Sequence, residues 1–347
     1  MRELEQVPMA IVGGIDVHRG QLTYDYLDTD SGEIRRGQIR PANRKGLRKW
    51  LSRLEGSGSA EFGVEACTGW RYVAEELCRV GCKVRLGEPA EVSAAKGPKK
   101  RPKTDEADAR HLRELVQQGR VPESWIPPTE ILEARQLIRL HRDLAEERGA
   151  WIQRVAATLF HQGVPAVGIL SGRDQIADAE LSPQGRRAVT VALRQIQRLD
   201  EELLVIGEAV SKASREQAAC RALVENLHGV GWLLAYAIWA EMGDARRFSS
   251  SSDAVRYSGI DITVYASGDK RSKGQLSRQG SPLLRWALYE AAMAATHKGS
   301  PDHAYYAAVK ARRQGDSDIA LQSVARKVAR RSYHILREQA DPLSTAA

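Results

Sequence analysis

Four carboxylates stand at positions where they could act together. They are Asp16, Glu65, Asp105 and Asp108. Asp16 and Glu65 each follow an apolar run, and the other two are three residues apart, so they would project from one face of a helix. Clustered carboxylates repel one another, and a hard divalent cation such as Mg²⁺, or Mn²⁺ in its place, relieves this repulsion. Two such ions could stabilise both the attacking and the leaving oxygen of an in-line phosphoryl transfer.

Each acid also has a purely structural explanation. Asp16 could form an Asx turn at a strand end. Asp105 and Asp108 could simply favour the N-terminus of a helix. Glu65 is harder to explain in this way, because a buried carboxylate needs a partner. The four together, rather than any one of them, predict a catalytic centre.

Histidines and cysteines offer other possible ligands. His111 lies three residues beyond Asp108 and could replace or assist it, whereas His18 is predicted to face solvent. Cys78 and Cys82 are four residues apart, but no second pair at zinc-site spacing and no nearby histidine accompanies them. The cysteines are therefore predicted to be small buried hydrophobes.

A basic loop precedes the second pair of acids and could hold a phosphate backbone beside them. Its cations are Lys99, Lys100, Arg101 and Lys103. The chain of 347 residues carries a formal net charge of +8, which favours a polyanionic partner. No apolar run approaches the roughly 20 residues that cross a bilayer. No secretory signal is visible, so we expect a cytoplasmic protein.

The N-terminal third predicts an α/β domain. The predicted elements are strands near 10–17, 22–27 and 33–39, a helix at 43–54, a strand at 60–65, a helix at 72–80 and a strand at 83–86. Thr104 is the predicted N-cap of the next helix. This is the element order of the ribonuclease-H-like fold, although other α/β folds accept it too.

The glycines before Asp16 also allow another interpretation. Gly13-Gly-Ile-Asp-Val resembles the first phosphate loop of actin-like ATPases and sugar kinases. Those enzymes need a second glycine-rich phosphate loop and an adenosine-binding glycine pair, and neither occurs in this order. The helical C-terminal half also differs from their second lobe, so this interpretation is disfavoured.

The rest of the chain predicts helices. Residues 127–219 contain two long helices with apolar residues seven apart, which indicates a coiled-coil hairpin or dimerisation arm, or a helical subdomain packed within one protomer. The positions seven apart are Ile138, Ala145, Ile152 and Leu159, then Val189, Ile196, Leu203 and Val210. Residues 220–347 predict a mainly helical domain with one strand-and-loop insertion at 257–280. The predicted domains are thus 1–126, 127–219 and 220–347.

The C-terminal domain contains features suited to a phosphate backbone. Leu227-His-Gly-Val-Gly resembles a helix–hairpin–helix element, in which Gly229 and Gly231 would offer backbone N–H groups. An ordinary helical turn with glycines for tight packing is the alternative. The cations suited to phosphate contact are Lys270, Arg271, Lys273, Arg278 and Arg285. The serines that could attack a phosphodiester, if a base or metal activated them, are Ser258, Ser267, Ser272, Ser277 and Ser281.

In this order, the motifs resemble those of the "IS one-ten" type of insertion-sequence transposases, which are bridge-RNA-guided recombinases. The motifs are Gly14-Ile-Asp-Val, Val64-Glu-Ala-Cys-Thr-Gly, Lys103-Thr-Asp-Glu-Ala-Asp-Ala-Arg, Gly229-Val-Gly, Tyr257-Ser-Gly-Ile, Tyr265-Ala-Ser-Gly and Leu284-Arg-Trp-Ala-Leu. The resemblance covers nearly the whole chain. At Tyr257-Ser-Gly-Ile-Asp-Ile the chain departs from the family's usual aromatic-Ala-Gly-Leu-x-Pro, and the missing proline could change the loop that leads to Ser267.

The resemblance implies a RuvC-like, ribonuclease-H-like domain joined to a transposase domain. The implied metal-binding acids are Asp16, Glu65, Asp105 and Asp108, and the implied nucleophile is Ser267, which would form a transient phosphoserine bond. Donor and target DNA, a structured noncoding bridge RNA and a homo-oligomer of two to four copies are the implied partners. A structure-specific junction endonuclease and a non-catalytic nucleic-acid-binding protein are the alternatives.

Overall fold

The computed structural model describes residues 10–54, 59–97, 104–165, 168–169, 171–262, 266–267, 270–271 and 274–340. For residues 173, 266, 267, 270 and 271 it describes the backbone alone. The chain divides into two compact units, residues 1–126 and residues 127–347.

The first unit is built on a mixed five-stranded sheet. Its strands are β1 Ile11–Val17, β2 Leu22–Asp28, β3 Ile34–Ile39, β4 Ala60–Glu65 and β5 Lys83–Gly87. The spatial order is β3-β2-β1-β4-β5, in which β1 pairs antiparallel with β2 and parallel with β4. The five predicted strands are confirmed. This order and these directions are compatible with the predicted ribonuclease-H-like domain.

Helices cover both faces of this sheet. They are α1 Arg44–Leu51, α2 Trp70–Arg79, α3 Pro89–Ala95 and α4 Asp105–Gln117. Alternate residues of a strand point to opposite faces. Ile15, Phe62 and Val64 therefore share one face and join a hydrophobic core with Leu47 of α1 and Leu77 of α2. The opposite face carries Asp16 and is covered by α4.

Glycines let α4 lie directly on the sheet. A Cβ atom at Gly14 would stand 2.6 Å from the Arg113 nitrogen and 2.7 Å from the Leu112 Cβ, and one at Gly63 would stand 2.8 Å from a Val116 methyl group. Any side chain here would push α4 away from β1 and β4. This close packing fixes the position of the acidic first turn of α4 relative to β1.

Two predictions about this unit need comment. The N-cap prediction is confirmed, because the Thr104 hydroxyl accepts a hydrogen bond from the Ala107 N–H at 3.2 Å. Helix α3 was not predicted, since Val92 is its one buried residue and gives no periodic pattern.

The prediction of buried cysteines is wrong for Cys78, is confirmed for Cys220 and holds in part for Cys67 and Cys82, which pack against the core of the first unit. Cys78 is exposed on α2, and Cys67 and Cys82 are half-buried. Of the four, Cys220 alone is buried. Cys78 is exposed because a helix with one buried face leaves its other positions in water, whatever the side chain.

The second unit is almost entirely helical. Its helices are α5 Thr129–His161, α6 Arg173–Asp178, α7 Pro183–Glu216, α8 Ala218–Asn226, α9 Trp232–Met242, α10 Ser251–Tyr257, α11 Pro282–Met293, α12 His303–Arg312 and α13 Ser317–Gln339. Helices α5 and α7 pack along each other, and α9 packs against both. Ile138, Val189, Ile196 and Val210 are buried there. Packing within one protomer therefore accounts for these positions of the predicted heptad pattern.

A short antiparallel ladder interrupts the helices between α10 and α11. It contains β6 Ala266–Ser267 and β7 Lys270–Arg271, with an isolated bridge between Ile262 and Leu276. This ladder is the predicted strand-and-loop insertion. No helix within the described ranges is both long enough and apolar enough to cross a membrane.

Candidate metal centre

The four predicted acids belong to elements that meet on the α4 face of the sheet. Asp16 lies near the end of β1, and Glu65 ends the neighbouring parallel strand β4. Asp105 and Asp108 lie in the first turn of α4. Glu65 shares its face with Gly63, and Asp16 shares its face with Gly14, since each pair is two residues apart on one strand. Both glycines contact α4.

A compact ligand set lies at this point. Asp16, His18 and Asp105 each offer one ligand atom, and these atoms lie within 4.8 Å of one another. Two carboxylate oxygens and an imidazole nitrogen can together hold a divalent cation. The donor set is thus compatible with a divalent metal, although His18 is a donor that the sequence prediction did not include.

His18 is exposed, as predicted, but its ring also reaches the two carboxylates. The signal that could have found it is its spacing. His18 follows Asp16 by two residues, and alternate residues at the end of a strand project to the same side. A histidine two places after a candidate metal ligand is therefore itself a candidate.

The surroundings of Asp16 raise its pKa from 3.8 to about 6. Burial is the largest cause, followed by the negative charges of Asp105 and Asp108, while Glu65 adds a smaller effect and His18 opposes the rise. Partial burial among like charges disfavours the carboxylate form. A bound cation would reverse this effect, so the electrostatics match the donor chemistry.

The other two acids lie close enough to influence Asp16 but outside the 4.8 Å set. Asp108 forms an ion pair with Lys96, whose Nζ is 2.6 Å from its Oδ1. The side-chain amide of Gln21 donates to Asp105 Oδ2 at 3.0 Å. Neither Lys96 nor Gln21 was predicted.

Two further side chains lie near the acids without joining the set. His111 Nε2 is 3.1 Å from the carbonyl oxygen of Val92, so the structure gives its ring a backbone partner. The pKa of the Cys67 thiol is raised, first by burial and then by the charges of Glu65 and Asp16. Because metals bind the thiolate, this shift disfavours Cys67 as a ligand.

The comparisons with known proteins agree with this geometry. A DEDD transposase family of the IS110 type matches residues 13–161, and the transposase IS116/IS110/IS902 family matches residues 221–307. Together the two matches cover more than half of the chain. The chain belongs to the IS110-type transposases.

Curated relatives are also named as transposases. The transposase for insertion sequence element IS1111A of Coxiella burnetii is 23% identical over 238 residues, which is 67% of this chain and 64% of that protein. A putative transposase, y4rJ, of Sinorhizobium fredii is 27% identical over 64% of this chain and 62% of its own length. The transposase for IS1328 of Yersinia enterocolitica is 24% identical over 66% of this chain and 69% of its own. The chain thus spans a little under two thirds of the length of each of the first two relatives.

The position of Ser267, the family's implied nucleophile, is described by the backbone alone. Ser267 lies in β6, and its register partner is Lys270 of β7. The hairpin thus carries two predicted phosphate contacts, Lys270 and Arg271, next to Ser267. Predicted contacts at Lys99, Lys100, Arg101, Lys103 and Lys273 lie outside the described residues.

The remaining predicted cations lie at the base of this ladder. The Arg278 N–H donates to the Gly259 carbonyl oxygen at 3.1 Å, and the residue has a left-handed φ of 52°. Arg285 Nη1 donates to the Gly280 carbonyl oxygen at 2.9 Å. Burial and then the charge of Arg278 lower the pKa of Arg285. These like charges would favour a bound anion.

The two glycines of the predicted hairpin between α8 and α9 differ in their surroundings. Gly229 has a φ of +83°, and a Cβ there would overlap the Cβ of Ala294. Gly231 has nothing within 4 Å of such an atom. Both line a cavity of about 520 Å³, together with Arg331. Packing explains the glycine at 229, whereas nothing packs against position 231.

Proposed function

We propose that this protein is a DNA recombinase that moves an insertion sequence by strand exchange. The observation that carries the proposal is the convergence of Asp16, His18 and Asp105 in a chain of the IS110-type family. The relatives are named as transposases, and the excess of 8 positive charges suits a DNA partner.

The acid centre would hold Mg²⁺ or Mn²⁺ through Asp16 and Asp105, with Glu65, Asp108 and His18 available to complete the site. When bound, the cation would polarise a phosphodiester and lower the pKa of an attacking hydroxyl. The residues themselves would position the scissile phosphate, and Gln21 would hold Asp105 in place through the bond described above.

Ser267 is the proposed nucleophile. Its Oγ would form a bond to phosphorus, its proton would pass to a nearby base, and one DNA oxygen would leave the phosphorus as a hydroxyl. Attack by a second DNA hydroxyl would then form the exchanged strand and restore the serine. The transient phosphoserine diester would conserve the energy of the original ester for this rejoining.

Structural roles for three of the alternative serines support Ser267. The Ser258 hydroxyl donates to Val255, and the Ser277 hydroxyl donates to Asp261. Ser281 is the N-cap of α11, and its hydroxyl accepts a hydrogen bond from the Leu284 N–H at 3.2 Å. The Ser258 hydroxyl therefore stabilises a helix end and the Ser281 hydroxyl a helix start, while the Ser277 hydroxyl links the two sides of the insertion. Ser272 lies outside the described residues.

Several finer features complete the proposal. The first unit would be a ribonuclease-H-like, RuvC-like domain, residues 127–219 a coiled-coil segment and residues 220–347 a transposase domain with a helix–hairpin–helix element. A structured noncoding RNA would pair with donor and target DNA, as in other RNA-guided enzymes. A homo-oligomer of two to four copies, located in the cytoplasm, would bring Ser267 and the acids together. The family resemblance supports these features.

A covalent-capture experiment tests this function. Purified protein, the RNA transcribed from the element's flanking DNA and end-labelled junction DNA are mixed with Mg²⁺, and denaturing gels score both exchanged strands and a protein–DNA adduct. Ser267→Ala and Asp16→Asn should each abolish both products, whereas Ser323→Ala, at a half-buried position of α13, should abolish neither. Normal exchange by Ser267→Ala would disprove the serine mechanism, whereas cleavage without exchange or adduct by the parent protein would favour a hydrolytic junction nuclease.

A further inference from the structure

A buried carboxylate in the first unit is surrounded by three arginines. Asp25 of β2 is 1% exposed. Arg113 Nε donates to its Oδ1 at 2.6 Å, and Arg36 Nε donates to its Oδ2 at 2.7 Å. Arg110 Nε lies 3.9 Å from the same Oδ2. Three guanidinium groups thus face one carboxylate, and the excess of positive charge is built into the fold.

Two of these arginines remain accessible. The side chains of Arg36 and Arg110 are 47% and 46% exposed, whereas that of Arg113 is 7% exposed. Arg113 also lies 3.7 Å from Glu114. Within the described part of the chain, Asp25 is the one acidic partner of Arg36 and of Arg110. A guanidinium has five N–H donors, so most donors of these two remain available to a ligand.

The strand register places this cluster on the same sheet face as the acid centre. Gly14 of β1 pairs with Asp25, which pairs with Arg36 of β3. Asp16 therefore shares its face with Asp25 and Arg36, because directly paired residues and alternate residues point the same way. Strands lie about 4.8 Å apart, so β3 runs about 10 Å from β1.

A second contact connects this region with the acid centre. Arg40 follows β3 and donates to the side chain of Gln21, which in turn donates to Asp105 Oδ2. Arg40 is exposed. Arg36, Arg40 and Arg110 therefore form a positively charged patch between the acid centre and the edge strand β3.

We propose that Arg36, Arg40 and Arg110 form a binding subsite for the phosphodiester backbone of the DNA strand that reaches the acid centre. The proposal rests on the proposed function. One strand of DNA carries a charge every 3.4 Å or so along the duplex axis, so a patch about 10 Å long can face at most about three phosphates. The subsite would bind the strand near the scissile phosphate and would position it without taking part in the chemistry.

The buried Asp25 explains why this site would be effective. Its ion pairs with Arg36 and Arg110 hold these two side chains in place before DNA binds, which reduces the entropy lost on binding. The alternative occupant of an edge strand is another protein strand. Charged side chains on an edge strand disfavour such pairing, and β3 carries Arg35 and Arg36 in sequence. A polyanion suits this edge better.

Neighbouring arginines on β3 provide a matched test. Arg36→Gln and Arg110→Gln remove a charge from the subsite, and Arg35→Gln removes one from the opposite face, where Arg35 pairs with Glu33. Binding of a fluorescent random-sequence DNA duplex is measured by anisotropy at several salt concentrations, without divalent metal. Each subsite variant should weaken binding about 3- to 10-fold and reduce the salt slope by about one. Arg35→Gln should change the affinity less than about twofold.

Further arms of the same experiment keep its result interpretable. Thermal melting checks the fold of each variant. Arg110→Gln removes only a 3.9 Å contact with Asp25, so it still tests the subsite if Arg36→Gln fails to fold. A random-sequence RNA hairpin is titrated in parallel. Unchanged DNA affinity and slope, or a loss confined to RNA, would overturn the proposal. Failure of the proposed function would be seen separately, as the absence of strand exchange by the parent protein in the covalent-capture experiment.

Discussion

Lys96 Nζ lies 2.6 Å from Asp108 Oδ1, so a lysine that follows helix α3 neutralises one of the four acids of the candidate metal centre. The Lys96 side chain is 33% exposed and that of Asp108 is 14% exposed, so solvent screens the pair only partly. A cation that approached Asp108 would meet the ammonium group of Lys96. The lysine therefore competes with a metal for this carboxylate.

Replacement of Lys96 should strengthen metal binding. We expect Lys96→Met to bind Mn²⁺ about threefold or more tightly, because a charge near the site interacts with a cation by about 1 kcal/mol even in a water-like dielectric. Isothermal titration calorimetry measures the affinity. Lys49→Met, at an exposed position of α1, is the control and should bind Mn²⁺ like the parent. An unchanged or weaker affinity in Lys96→Met would contradict the prediction.

The raised pKa of Asp16 makes its charge costly to the fold. A folded-state pKa of about 6, above the ordinary 3.8, means that the folded chain binds a proton more tightly than the unfolded chain. Stability should therefore fall as pH rises from about 4 to 6, and the full cost should remain above pH 6. We expect Asp16→Asn to raise the free energy of unfolding at pH 7.5 by about 1–2 kcal/mol, since partial exposure reduces the roughly 3 kcal/mol of a two-unit shift.

Denaturant unfolding with a chelator measures this difference. Asp30→Asn, at an exposed turn, should leave the free energy of unfolding within about 0.5 kcal/mol of the parent. Saturating Mn²⁺ should reduce or reverse the stability gained by Asp16→Asn, because the parent binds the ion and Asp16→Asn does not. Manganese affinity of the parent should also fall as pH drops through about 6, where Asp16 takes up a proton. A Mn²⁺ affinity that does not change with pH would contradict the assignment of Asp16 as a metal ligand.

The elements of the first unit were predictable because local patterns determine them. Alternating apolar residues mark β1, and Thr104 marks the start of α4. The contacts of the site depend on long-range geometry that no local pattern contains. Lys96 reaches Asp108 only because α3 folds back towards α4, and α3 itself has no periodic signal. Arg36 shares a face with Asp16 only through the pairing register of three strands.

Gly14 should be essential to the metal centre although it binds nothing. A methyl group there would contact the backbone of α4 at Arg113 and the Leu112 side chain. We expect Gly14→Ala to lower the free energy of unfolding by about 3 kcal/mol or more, because overpacking forces backbone shifts. Gly20→Ala has nothing within 4 Å and is the matched control. Because α4 would move away from β1, Gly14→Ala should also lose Mn²⁺ affinity at temperatures where it is folded. Parent-like affinity would show that α4 need not lie on β1.

The two hairpin glycines of the second unit should behave differently when replaced by alanine. Gly229→Ala combines a left-handed φ with overlap on Ala294, so it should lower the free energy of unfolding by about 2 kcal/mol or more. Gly231 has a φ of −91° and open space around it, so Gly231→Ala should change stability by less than about 1 kcal/mol. If the hairpin contacts a phosphate, Gly231→Ala should still weaken binding of duplex DNA severalfold, because the added methyl group enters the cavity beside Arg331. Denaturant unfolding and anisotropy titration measure the two effects separately. Parent-like DNA affinity in a stable Gly231→Ala would leave the hairpin with a packing role only.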